Sequence, residues 1–102
     1  PDWQFTVINP GGPMVGVREP SHDGWRLIVP ILENVEWRFT NLKDDPAESD
    51  PILGFDFPSF LSMVHKKRGE EEAKWVEKAA FATRWWVDEN SRRWRQGKYA
   101  DK

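Results

Sequence analysis

The sequence predicts an α+β fold: a small antiparallel meander of three or four strands in the N-terminal half, packed by a long C-terminal helix and a shorter helix before it. Three observations predict it. Apolar and polar residues alternate in short runs before residue 41, and clusters of Pro, Gly, Asn and Asp separate those runs. From residue 70 onward, apolar residues recur with the period of a helix. At 102 residues the chain is expected to be a single domain with one core.

The first strand is expected over residues 3–8, where Trp3, Phe5 and Val7 alternate with Gln4, Thr6 and Ile8, as in a strand with one face on a core. The run Asn9-Pro10-Gly11-Gly12-Pro13 ends it. Two prolines fix φ and two glycines accept positive φ, so the chain can reverse into a second strand over 14–18. Residues 19–24 read as another turn, and 25–32 as a buried strand disturbed at Pro30, which has no N–H for a ladder. Val35, Trp37 and Phe39 alternate with Glu36, Arg38 and Thr40, which predicts a strand over 35–40 with one wet face. Residues 43–51 have no apolar period and read as an exposed, mobile acidic linker.

Asp56 is placed to cap a helix over 58–68 with Pro58 in its first turn, carrying Phe60, Leu61, Met63 and Val64 toward the core and ending at Gly69. The second helix is expected over 70–96. At about 100° per residue, Trp75, Val76, Ala79, Ala80, Ala82, Thr83, Trp86, Val87 and Trp94 fall on one broad arc, with Lys74, Glu77, Arg84, Asp88 and Arg95 on the other side.

Composition narrows the function classes. The chain has no Cys, so disulfides, Cys-ligated metal centres and thiol nucleophiles are excluded, and no oxidising compartment is needed. No run approaches the ~20 apolar residues of a membrane span, and the first ten residues lack the order of a signal peptide. A cytoplasmic or other intracellular location without membrane association is therefore expected. Net charge is −2, but residues 1–50 hold 4 Lys and Arg against 9 Asp and Glu, and residues 51–102 hold 11 against 8. Positive charge is thus concentrated in the helical half.

Most candidate chemistry has a plainer reading. Asp44, Asp45, Glu48 and Asp50 offer hard oxygen ligands but lack the spacing, central Gly and terminal Glu of a calcium loop, so they read as a solvated linker. His22 beside Asp23 resembles a base with its orienter, yet Asp-Gly at 23–24 is turn chemistry. His65 sits with Lys66, Lys67 and Arg68 at a helix end, where cations complement the dipole. The Gly-rich turn 9–13 lacks the Lys-Ser/Thr of a phosphate loop, and neither Ser59 nor Ser62 lies in a nucleophile-elbow context. Carboxylate pairs at Glu33 and Glu36, or Asp88 and Glu89, are of the kind found on solvated faces. No cofactor, metal or catalytic residue is assigned.

The most suggestive feature is aromatic and basic. Phe81 and Trp85 are four residues apart, hence neighbours on a helix, and both lie off the apolar arc; Tyr99 would join them if the helix continued. With Arg84, Arg92 and Arg95 as a rim, they form a candidate contact surface, because interface hot spots favour Trp and Arg. The expected role is a non-catalytic protein-binding module, meaning a small adaptor, inhibitor or accessory subunit of the kind compact phage genomes encode. Its expected partner is another protein or a second copy of itself. The alternative is single-stranded nucleic acid held by the basic aromatic C-terminus, with Arg on phosphates and Trp or Tyr on bases. An enzyme or ligand-binding domain ranks third.

Overall fold

In a computed structural model, five strands form one antiparallel sheet in the order of the sequence: β1 (Gln4–Ile8), β2 (Met14–Arg18), β3 (Trp25–Pro30), β4 (Trp37–Asn41) and β5 (Ile52–Gly54). Two helices, α1 (Phe57–Arg68) and α2 (Glu70–Ala100), complete the α+β fold. The structure describes residues 2–8 and 13–100, with 92–100 as backbone only. The turn expected at 9–13 therefore falls, except for Pro13, outside the described residues.

Register explains why this sheet has one apolar face. Phe5 pairs with Val17, Val17 with Leu27, Leu27 with Phe39 and Phe39 with Ile52, so one row crosses all five strands. A second row runs Val7, Val15, Val29. Because successive side chains alternate, both rows point to the same side, and there they meet Phe60 and Val64 of α1 and Trp75, Val76 and Ala79 of α2.

The structure modifies the sequence reading in several places, one of them Met63, which was expected toward the core and is 40% exposed on the outer side of α1. There is a fifth strand: Ile52 continues the core row against Phe39, so pairing with β4 makes a strand of three residues at the end of the acidic segment. β3 stops at Pro30, and Ile31 and Leu32 lie in a turn, 43% and 49% exposed. The outer face of β4 is not uniformly wet, since Thr40 is buried opposite Arg26, whose guanidinium reaches Glu48 at 3.7 Å. Val7 points to the core side yet is 58% exposed: β1 is an edge strand that α2 reaches through Trp86 on Phe5, and Val7 lies one pair further along.

The helices are joined by one residue. The Asp56 carboxylate accepts from the Ser59 N–H at 3.0 Å and caps α1. Gly69 closes α1 with its N–H on the His65 carbonyl and opens α2 with its own carbonyl accepting from the Ala73 N–H. Its φ of 102° is a conformation that side-chain-bearing residues avoid. α1 folds back along α2, and with 12 residues it is about 18 Å long, so it runs out near residue 81 of α2. α2 itself passes unbroken through residues 88–91 and spans 31 residues, about 46 Å. Among its described side chains, Trp86 and Val87 are the last packed on the core, and the helix backbone continues about 20 Å beyond them.

Candidate interaction surface

The helical phase that buries one side of α2 exposes the other. Trp75, Val76, Ala79 and Thr83 are buried and Ala80, Ala82, Trp86 and Val87 partly so, while Lys74, Glu77, Lys78, Phe81, Arg84, Trp85 and Asp88 are exposed. Phe81 is 79% and Trp85 67% exposed. Because α1 begins beside Phe81 and runs from there toward the start of α2, it does not cover the pair. These are the most exposed of the large apolar side chains among the described residues.

Beside this ridge runs a groove of about 650 Å³, with Phe81 and Arg84 on one bank, Pro30 and Ile31 on the other, and Trp37, Phe57 and Ala80 among the residues lining it. Trp37 is held by Phe57 at 4.6 Å and Phe60 at 5.9 Å between ring centres. The groove arises because α1 starts only at Phe57 and the central strand β3 ends at Pro30, so neither element fills the angle against α2. Three residues of the expected surface, Phe81, Arg84 and Trp85, thus lie together on one stretch of α2. Arg92, Arg95 and Tyr99 belong to its last turns, and their side chains, like that of Trp94, lie outside the described set.

A second constellation was hidden in the sequence. Glu19 is 7% exposed, and its Oε1 accepts from Trp75 Nε1 at 3.1 Å and lies 2.6 Å from His22 Nδ1. The alternation that turns Val15 and Val17 inward continues to residue 19, and the 3-10 turn Pro20–His22 swings the imidazole back over it. His22 therefore pairs with Glu19 rather than with the adjacent Asp23. Burial works to raise the Glu19 pKa, but hydrogen bonds from His22, Trp75 and Ser21, with the His22 charge, outweigh it and hold the carboxyl below 4.5. Trp3 and Trp25, each 5.7 Å from Trp75, close the cluster.

The cluster fastens the fold rather than forming a catalytic triad. In a Ser–His–acid triad the hydroxyl and the carboxylate engage opposite ring nitrogens. Here Ser21 Oγ, at 3.3 Å, and Glu19 both lie at Nδ1.

The acidic segment does not converge on a point. Asp45 is used locally, accepting from the Ser49 and Asp50 N–H groups and from the Ser49 hydroxyl, which lowers its pKa. Asp44 pairs with Arg68, and Glu48 faces Arg26. Among the described residues no three His, Cys, Asp or Glu are grouped so as to hold a metal ion, and no helix is long and apolar enough to cross a membrane.

In comparisons with family models, curated proteins and solved structures, nothing matches the chain.

Proposed function

We propose that the chain is a non-catalytic protein-binding module whose contact surface is the ridge of Phe81 and Trp85, with Arg84 at its rim. One observation carries the reading: two large aromatic side chains one turn apart stand out from a helix whose opposite side packs on the core through Trp75, Val76, Ala79 and Thr83. Exposed apolar area costs solubility, and a rigid aromatic pair beside a charged guanidinium is the composition of an interface hot spot. The groove along Pro30, Ile31 and Trp37 adds an apolar border to the same surface. A small adaptor, inhibitor or accessory subunit fits this arrangement.

The test compares the intact chain with a Phe81→Ser/Trp85→Ser variant as baits in an extract of the source cell. Because both side chains are exposed, the variant should keep the thermal melt of the parent and lose the specifically bound proteins. Capture of the same proteins by parent and variant would remove the proposal.

A further inference from the structure

The ridge has a symmetry that names its partner. At ~100° per residue, Phe81 and Trp85 lie about 20° either side of the direction opposite Thr83, and Lys78 and Asp88 about 40° either side of it. Thr83 is wholly buried, so this direction is straight out from the core. In sequence the four residues sit symmetrically about 83: an aromatic residue two positions before and after, and opposite charges five positions before and after. Among the described residues neither Lys78 nor Asp88 has an ion pair, whereas Lys74 on the same face is engaged by Glu70 at 3.1 Å.

We infer that the ridge binds a second copy of this chain, α2 against α2 and antiparallel, about a two-fold axis at the level of Thr83. The inference rests on the protein-binding reading of the same surface. In that register Phe81 meets the partner's Trp85, Trp85 meets the partner's Phe81, and each Lys78 meets an Asp88. A parallel pair would instead set Lys78 against Lys78 and Asp88 against Asp88, so charge selects the antiparallel form. A two-fold contact is self-complementary, which is what the placement about residue 83 supplies.

Magnitudes make the dimer a weak one. Four rings exposed to this degree supply roughly 600 Å², given 150–250 Å² per aromatic side chain, against the 1,000 Å² or more of a specific interface. Farther out the register sets Glu71 level with Arg95, but also Lys74 with Arg92 and Glu77 with Glu89, so the electrostatic gain is concentrated in the inner Lys78–Asp88 pairs.

Sedimentation equilibrium at low ionic strength, up to millimolar concentration, tests this with four proteins: the parent, Lys78→Asp, Asp88→Lys and the double exchange. The parent should dimerise. Each single reversal places like charges together twice and should weaken association by roughly tenfold or more. The double exchange, and an equimolar mixture of the two single variants, should both recover it, and recovery would also show that the reversals had not harmed the fold. A parent that stays monomeric throughout overturns the inference, as does a dimer indifferent to the reversals. If the parent is monomeric but protein capture still depends on Phe81 and Trp85, self-pairing fails and the broader proposal stands. A dimer that persists undiminished in the Phe81→Ser/Trp85→Ser variant removes self-pairing through the ridge as well.

Discussion

Trp75→Phe removes a single N–H from the buried carboxylate of Glu19 while keeping an aromatic ring in place. Trp75 is 4% exposed and lies against Trp3, Trp25 and Phe39, so the change is felt inside a closed aromatic cluster. The loss has two parts. A hydrogen bond to a charged acceptor contributes about 1.5–3 kcal/mol, and the smaller ring leaves a cavity costing about 1 kcal/mol. The variant should therefore be about 2.5–4 kcal/mol less stable at neutral pH, a large share of the 5–15 kcal/mol typical of a domain. The sign of the pH dependence follows from Glu19, whose folded pKa is held below 4.5. A carboxylate with a lowered folded pKa gives stability that is present above its unfolded value and is lost as pH falls through the folded one. Trp75→Phe already lacks one of the bonds responsible, so it has less to lose in acid, and the gap should narrow toward the cavity part alone. Urea melts of parent and variant at neutral pH and well below pH 4.5 measure both quantities. An equal penalty at the two pH values, or a neutral-pH penalty under about 0.5 kcal/mol, would refute the role given to the Trp75–Glu19 bond.

Other perturbations probe the helix junction and the acidic segment. Gly69→Ala should cost about 1–3 kcal/mol in thermal melts although nothing lies within 4 Å of the added methyl, because the loss is strain at positive φ; a neutral result would contradict the junction geometry. Arg68→Met leaves the largely buried Glu72 carboxylate with Asn41, at 2.9 Å, and should destabilise by about 1.5–3 kcal/mol, whereas adding Glu72→Gln should recover part of that; no recovery would mean that Arg68 acts through its pair with Asp44 or through packing and not through Glu72. Asp45→Asn should lower the melting temperature at neutral pH and match the parent in strong acid, since the stability from a lowered carboxylate pKa is lost once the parent's Asp45 is protonated; a constant difference would show that the carboxylate charge is irrelevant.

Local phase made most of the fold legible. The inward row of the sheet was written in the sequence at Phe5 and Phe39, and the buried arc of α2 at Trp75, Val76, Ala79 and Thr83. β5 was not legible, because Ile52-Leu53-Gly54 is too short to display a period and owes its strand character to the ladder with β4. Glu19 escaped for a related reason. Its neighbours Pro20 to Gly24 are turn residues, and the cluster reads as a turn until His22 is seen to fold back and Trp75, 56 positions away, supplies the second donor. The same holds for Asp44 and Arg68, which an acidic segment and a basic helix end do not reveal as partners until Gly69 fixes where α1 stops. Pairings across the sequence depend on how elements assemble, and a single chain carries no periodic trace of them.

The exposed aromatic ridge was legible for a geometric reason that also bears on its meaning. Trp85 lies about 160° around the helix from the wholly buried Thr83, so the face that buries Thr83 cannot also bury Trp85. Trp86 is in phase with Ala79 and Thr83 and stacks on Phe5 at 5.0 Å, so Trp85 is turned toward the charged side. There it falls one turn from Phe81, which is out of phase with the core for the same reason. A helix needing only to cover the sheet would be satisfied by Trp86 alone and would be more soluble with a charged residue at 85. Lys78 and Asp88 flank the two rings at the same distance on either side, so the exposed face has a centre of its own at Thr83, independent of the buried one. A face with its own centre and complementary ends is what a two-fold contact requires, and core packing imposes no such condition on residues 78 and 88.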